Sequence, residues 1–219
     1  CYYHTAFPLY FTFSLNHIGG ILFRWFRDNF CDMDVKEAAT RSKNPYEYLL
    51  RRIPEKPTSL FFLPHLNGSG NPWCDLSSKG AIVGLTMATT KYEIIKSILE
   101  SLTFELALNI EKLDEAGIPI LDIAAAGGGA RAPQWLQIKA NILNRPVHTL
   151  RCSEAACLGA AILAGVGTNT YHSISEGVKE TVQYKNTFEP QSDFVDVYRE
   201  KFAVYRDLYP ALRTINKRI

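Results

Sequence analysis

The clearest hydrophobic pattern in the chain is a helical one between Thr90 and Gly117. Apolar residues recur every three or four positions along one face, at Ile95, Leu99, Leu102, Leu106, Ile110 and Leu113. This spacing predicts an amphipathic helix about 25 residues long. Thr90 and Glu93 form a capping-box pattern at its start, and Gly117 followed by Pro119 is typical of its end.

Shorter elements are predicted before this helix. Strands are favoured by three aromatic or apolar runs, at residues 8–14, 59–66 and 80–87. Residues 67–79 form a loop rich in Gly, Asn, Pro and Ser. Apolar spacing predicts a helix from about His17 to Asn29, and Asn44 followed by Pro45 marks the start of another. The polar residues 31–43 are predicted to be a loop or a weak helix.

Strand and helix patterns alternate after Pro119. Buried or short strands are predicted at 120–126 and 146–150, and helices at 133–143 and 153–167. This order predicts an α/β fold with a mostly parallel sheet and helices on both faces. The helix at 153–167 has a thin face, formed by Ala156, Gly159, Ala160 and Leu163, that would let it lie close to a sheet. Residues 191–219 are predicted to form one more amphipathic helix, anchored by Phe194, Val197, Phe202, Tyr205 and Leu208.

Composition narrows the function classes. The 219 residues are 47% hydrophobic and carry a net charge of only +2, so a nucleic-acid partner is not expected. No apolar run is long enough for a membrane span. Five cysteines without framework spacing favour reduced thiols and a cytoplasmic location. The histidines (His4, His17, His65, His148 and His172) lack metal-ligand spacing, so no metal site is predicted. The chain opens without Met or a signal peptide, and we expect a fragment of a longer protein.

A glycine cluster is the strongest local signal for binding. Gly127, Gly128 and Gly129 stand between a predicted strand and a predicted helix, where α/β sheets usually bind ligands. Glycines allow a ligand to approach the backbone, and the following helix offers free N–H groups. The pattern matches neither of the common phosphate-binding glycine motifs. On these grounds nucleotide binding and a tight turn that merely allows close packing remain equal alternatives.

Five ordered stretches resemble the FGGY carbohydrate kinases. Residues 80–100 fit a signature of that family through Gly80, Ile82, Gly84, Leu85, Glu93, Ile94, Ser97, Ile98, Leu99 and Glu100. The other four stretches are residues 16–28, 62–81, 127–147 and 153–167. The similarity is nearest to xylulokinase-like members, although gluconate and glycerol kinases share much of the pattern.

The resemblance implies a fold, cofactors and a role. It implies a ribonuclease-H-like domain of the actin-like ATPase type, with residues 1–219 as the C-terminal, nucleotide-binding domain. ATP and Mg²⁺ are the implied cofactors. The implied reaction moves the γ-phosphoryl group of ATP to a sugar hydroxyl, with D-xylulose or a related ketose as the favoured acceptor. The alternatives are a gluconate or glycerol kinase, or an actin-like nucleotide-binding or interaction module without catalysis.

The resemblance also implies the nucleotide contacts of this chain. Gly128, Gly129 and Ala130 match the loop against which the nucleotide lies. Pro133 stands where glycerol kinases often place an adenine-contacting Asn, and it has no side-chain donor. Gly20 and Arg24 match a Gly and a Gln of the first helix, so Arg24 departs from the family pattern. Contact with the nucleotide and a solvated helix position are equal readings for Arg24.

Catalytic parts of the family are expected outside this chain. The family uses an Asp as the base for the sugar hydroxyl and a Gly-Thr-Ser phosphate turn, and both are expected before Cys1. No catalytic residue is therefore assigned here, and the sugar is expected to bind through an N-terminal domain. We expect this fragment alone to be inactive. Its unpaired sheet edge favours self-association, for example as a homodimer.

Overall fold

A computed structural model describes residues 1–6 and 8–219, which form short strands and longer helices. The strands are β1 (Tyr2–Tyr3), β2 (Tyr10–Phe11), β3 (Phe61–Leu63), β4 (Ala81–Val83), β5 (Ile123–Ala125), β6 (Val147–Leu150) and β7 (Tyr184–Phe188). The helices are α1 (Ile21–Phe30), α2 (Asp32–Thr40), α3 (Pro45–Leu50), α4 (Lys91–Glu115), α5 (Pro133–Leu143), α6 (Ala155–Gly167), α7 (Ile174–Thr181) and α8 (Ser192–Asn216). A 3₁₀ turn, Gly128–Arg131, separates β5 from α5.

The strands form three small sheets. β1 pairs with β2 and β3 pairs with β4, both antiparallel, while the third sheet has the order β5-β6-β7. In that sheet β5 and β6 run parallel, with Ala124 opposite His148, and β7 joins β6 antiparallel. The α/β class is as predicted. The expectation of a mostly parallel sheet is wrong for the described residues, because β5–β6 is their one parallel pair.

Helix α4 is the centre of the molecule. Its start is the predicted capping box: the Thr90 hydroxyl accepts a hydrogen bond from the Glu93 backbone, and the Glu93 carboxylate accepts one from the Thr90 backbone. Its end is closed by Gly117, whose φ of +75° suits a residue without a Cβ. The Gly117 N–H bonds the Asp114 carbonyl, and the Ile118 N–H bonds the Leu113 carbonyl. These bonds satisfy carbonyls that the helix end leaves free.

Two hydrophobic clusters pack against different sides of α4. The larger one joins α4 to α1, α3 and α5, and contains Leu22, Phe26, Leu49, Ile95, Ile98, Leu99 and Ile138. The smaller one joins α4 to α8 through Phe104, Leu108, Tyr198 and Tyr205. Because α4 is covered on several sides, polar side chains on it are buried as well.

Glu100 is the most constrained of these buried polar residues. It is 1% exposed, and its carboxylate receives the Lys201 ammonium at 2.6 Å and the Tyr198 hydroxyl at 3.0 Å. Thr58 donates to the same carboxylate through its backbone N–H and its hydroxyl. Burial lowers the pKa of Lys201, while the neighbouring Glu100 opposes that shift. This network ties α4 to α8 and to the segment before β3.

Several predicted elements differ from the structure. Residues 31–43 contain a regular helix, α2, with Asp32 and Asp34 in its first turn and a fully buried Ala38. Acidic residues there favour the helix because its N-terminal end is electropositive. The predicted strands are shorter than expected, and Leu121 is 84% exposed rather than buried. Neither α7 nor β7 is anticipated, although Ser173 caps α7 through the Glu176 N–H at 3.2 Å.

The small-residue face of α6 is also a correction. Ala156, Gly159, Ala160 and Leu163 were expected to pack closely against a sheet, but all four are exposed among the described residues. Ile162, on another side of α6, is its one buried residue in the described part of the chain. The helix therefore packs mainly on α7 and leaves this face open. The predicted helix at 191–219 is confirmed as α8.

We expect Lys201→Met to lower the free energy of unfolding by about 3–5 kcal/mol, because it leaves the Glu100 carboxylate buried without its cation. Urea denaturation followed by circular dichroism measures this change. Arg199→Met is the matched control on the same helix, since its ion pair with Asp196 is exposed and is worth at most about 1 kcal/mol.

A second variant separates charge from packing. Glu100→Gln combined with Lys201→Met should be more stable than Lys201→Met alone, since no buried charge then lacks a partner. A double variant as unstable as the single one would show that the loss comes from packing of the lysine stem.

Candidate functional site

The glycine loop lies where two parallel strands end. β5 ends at Ala125 and the loop follows it directly, so the loop stands at the carboxyl end of β5 as predicted. The segment after the parallel strand β6 reaches the same place, since the Gly127 N–H donates to the Ser153 carbonyl at 3.3 Å. Gly127 has a φ of +76°, which side chains rarely adopt. The chain therefore turns sharply here and opens a site at the edge of the sheet.

Open space borders the first two glycines. A Cβ built on Gly127 or Gly128 meets no atom within 4 Å. The neighbouring α5 begins at Pro133, and its N-cap residue, Ala132, gives no side-chain hydrogen bond to the first turn. The first N–H groups of α5 thus lack an intrahelical partner, which favours an anion there. These features fit a phosphorylated ligand lying against the loop.

Trp135 holds the loop against α4. Its indole N–H lies 3.2 Å from both the Leu99 carbonyl and the Thr103 hydroxyl. The ring edge then lies beside Gly129 and Gly20: a Cβ built on these residues would be 3.0 Å and 4.0 Å from the Trp135 Cζ3 atom. Trp135 therefore brings Gly20, at the start of α1, and the glycine loop to one place. The sequence indicated Trp135 only as a general anchor.

Gly129 has a different role from the one expected of a ligand-facing glycine. Its φ is not in the positive range, and its Cβ position faces the indole of Trp135 rather than open solvent. A large side chain at Gly129 would therefore displace Trp135 before it met a ligand. Gly128 is the residue of this loop that combines open space with an ordinary φ. The sequence alone could not distinguish these roles, because the three glycines are identical and their surroundings depend on tertiary packing.

The remaining predicted contacts lie around this loop. The Ala130 N–H bonds the Gly127 carbonyl at 3.1 Å within the 3₁₀ turn, and Pro133 is the exposed first residue of α5. Arg24 lies one helical turn after Gly20 and is exposed. Its guanidinium makes no hydrogen bond or ion pair with the described residues. The contacts of Gly20, Arg24, Ala130 and Pro133 with a nucleotide stay predictions.

Charged residues near the loop were missed by the sequence reasoning. The Arg131 guanidinium lies 3.3 Å from the Glu154 carboxylate, and the Ser153 hydroxyl donates to the same carboxylate at 3.2 Å. Both Arg131 and Glu154 are largely exposed, so this pair can rearrange when a ligand arrives. Their separation by 23 positions, with β6 between them, left no sequence signal for the pairing.

A lysine lies behind Trp135. The Lys139 ammonium is 4.2 Å from the centre of the Trp135 ring, at the distance of a cation–π contact. Burial lowers the pKa of Lys139 to about 8. Burial thus disfavours the charged form of Lys139, while the indole supplies a partner that favours it.

The buried histidine does not form a second site. The His65 ring lies between the Ser78 hydroxyl, at 2.7 Å, and the Glu105 carboxylate, at 3.4 Å. This order resembles the serine, histidine and acid of hydrolases, but all three residues are at most 4% exposed. A substrate has no access to Ser78. The arrangement satisfies buried polar groups, as predicted for the histidines in general.

Neither a metal-binding cluster nor a membrane-spanning helix occurs among the described residues. No group of three or more His, Cys, Asp or Glu side chains in residues 1–6 and 8–219 could hold a metal ion. The same described residues contain no helix with the length and apolar character needed to cross a bilayer.

The known proteins that this chain resembles are carbohydrate kinases. The xylulose kinase of Bacillus subtilis (strain 168) is 27% identical over 207 residues, covering 94% of this chain and 40% of the relative. Glycerol kinase 2 of Sulfolobus acidocaldarius is 32% identical over 186 residues, covering 84% of this chain and 35% of the relative. The solved structure of a ligand-bound xylulose kinase from Lactobacillus acidophilus superposes with a TM-score of 0.77 at 26% identity, covering 91% and 39% of the two chains.

These matches confirm the fold implied by the resemblance. They also show how much of each relative this chain covers. The chain spans about 40% of the length of the curated relatives that it matches. Residues 3–168 match the family description "FGGY family of carbohydrate kinases, C-terminal domain". This match covers most of the chain, including α1, α4 and the glycine loop. The chain therefore belongs to the FGGY family of carbohydrate kinases.

Proposed function

We propose that this chain is the nucleotide-binding part of an ATP-dependent carbohydrate kinase. The observation that carries the proposal is the open glycine loop at the carboxyl end of β5, next to the uncapped start of α5. Backbone N–H groups and open space at a helix start favour phosphates. Membership in the carbohydrate kinase family then favours ATP over other phosphorylated ligands.

The chain's own residues would bind and orient the nucleotide. Gly127 and Gly128 leave room for it, and Trp135 holds the glycine loop close to Gly20. Phosphoryl transfer depends mainly on positioning and charge stabilisation, so a rigid platform is a large part of what a kinase needs. Mg²⁺, the cofactor that the family resemblance implies, would enter with the phosphates of ATP.

The acceptor would be a sugar or a related polyol. Xylulose kinases among the relatives favour D-xylulose or a similar ketose, and the glycerol kinases keep a smaller polyol as the alternative. The sugar contacts, the catalytic base and the Gly-Thr-Ser turn would come from a further domain outside these 219 residues. The cleft would then form between that domain and the glycine loop. The five free thiols agree with a cytoplasmic enzyme.

Gly128→Val tests the binding platform. We expect it to weaken ADP binding at least about tenfold, because its branched side chain fills the space in which the nucleotide would lie. Isothermal titration calorimetry measures the affinity, and circular dichroism confirms folding. Gly167→Val is the matched control, since a Cβ there also meets no atom within 4 Å and lies at the far end of α6. Equal ADP affinity in the two variants would remove the loop from the site.

Arg24→Ala tests the contact on α1. If Arg24 touches phosphate, the variant should lower the affinity for ATP more than the affinity for adenosine, because a charge-assisted hydrogen bond to phosphate is lost. Fluorescence or calorimetric titration with the two ligands measures the difference. Arg218→Ala, an exposed arginine after α8, removes the same charge elsewhere. No loss for either ligand would make Arg24 a solvated helix residue, whereas an equal loss for both would place its contact on the adenosine part.

A coupled ADP-release assay tests the activity. We expect the 219-residue chain alone to release no sugar-dependent ADP with D-xylulose, gluconate or glycerol, since loss of a general base alone costs about 10²–10⁴ in rate. The longer protein containing this chain should turn over one of these acceptors. Turnover by the chain alone would place a base within residues 1–219. ADP binding without turnover by the longer protein would favour a binding module without catalysis.

A further inference from the structure

A cavity lies apart from the glycine loop. It encloses about 370 Å³ between the end of α3, the residues after it, α4, α5 and α8. Gln134 lines it from the first turn of α5, whereas its neighbour Trp135 bonds to α4 beside the loop. The cavity and the glycine loop thus lie on different sides of the same helix. Nothing in the proposed kinase function uses this cavity.

A buried ammonium group lies in its wall. Lys96 is 2% exposed, and its Nζ donates to the Pro54 carbonyl at 2.7 Å and to the Glu55 carbonyl. An ammonium has three N–H donors, so one of them has no acceptor among the described residues. Burial lowers the pKa of Lys96 to about 8. The carboxylates of Glu100 and Glu55 favour the charged form of this lysine, so an anion in the cavity would serve as the acceptor of its third N–H.

Amide groups add donors on the opposite wall. The Gln137 amide bonds Asn141, and the Asn141 amide bonds Gln191, so these side chains hold each other in place. Gln134 makes no side-chain hydrogen bond with the described residues, although it lines the same cavity. The amide nitrogen of Gln191 is also left without an acceptor there. Hydrogen bonds thus fix Gln137, Asn141 and Gln191, and the amide groups of Gln134 and Gln191 are available to donate.

The remaining walls are apolar. Ile53, Ile138 and Phe194 line the cavity between these donors. One ammonium N–H and two amide groups can satisfy a single carboxylate, and the apolar wall can cover a short hydrocarbon segment. We propose that this cavity is a binding site for a small carboxylic acid anion, held by Lys96, Gln134 and Gln191. The proposal does not depend on the kinase activity.

Glutarate is the probe, because it combines carboxylates with a short apolar segment. We expect one glutarate to bind per chain by calorimetry, with ADP present or absent. In ¹⁵N NMR spectra, glutarate should shift the side-chain amide signals of Gln134 and Gln191. Gln134→Glu should weaken binding at least about tenfold, because it places a like charge against the ligand. Gln183→Glu makes the same charge change at an exposed residue before β7 and should leave the affinity unchanged.

Each other outcome would overturn the proposal. Absence of binding at tens of millimolar glutarate would make the cavity a packing defect. Competition by ADP would assign the anion to the glycine loop. Equal weakening by both variants would indicate a general charge effect. If Gln134→Glu does not fold, the amide shifts in the unchanged protein still decide, since no shift at Gln134 and Gln191 would exclude this cavity.

Discussion

The burial of α4 on nearly all sides is the constraint on which the rest of the structure depends. A helix in this position must find partners for every polar side chain that it carries into the core. Glu100 therefore requires Lys201, Tyr198 and Thr58, and Glu105 accepts the Tyr205 hydroxyl at 2.6 Å. These partners come from α8 and from the segment before β3. Satisfying α4 thus determines where the surrounding elements lie.

The candidate site depends on the same helix. The indole N–H of Trp135 bonds a carbonyl and a hydroxyl of α4, and the ring then supports the glycine loop. The loop could keep its own backbone turn without α4, but it would lose its fixed distance from α1. The glycine loop is therefore an extension of the core rather than a flexible surface loop. This explains how a site built largely from glycines can hold a defined shape.

The sequence predicted the position of the glycine loop in the fold better than the packing of its individual residues. The capping residues Thr90 and Glu93 and the apolar repeat of α4 were readable because local chemistry determines them. The position of the glycine loop followed from the change between strand and helix patterns. Two other features depend on tertiary packing and could not be predicted. These are the contact of Gly129 with Trp135 and the ion pair of Arg131 with Glu154. The predicted packing of the small-residue face of α6 was wrong for the same reason. Small apolar residues occur both on covered and on exposed helix faces, so the sequence alone does not distinguish the two.

The network around Glu100 has a consequence for biosynthesis. Glu100 and Lys201 are separated by 101 positions, and Glu105 and Tyr205 by 100. A ribosome releases the chain from its N-terminal end, so α4 emerges long before α8 can reach it. During that interval the acidic side chains of α4 stay hydrated and oppose closure of the core. This part of the nascent polypeptide therefore stays open until α8 is made, and premature collapse is discouraged by charge.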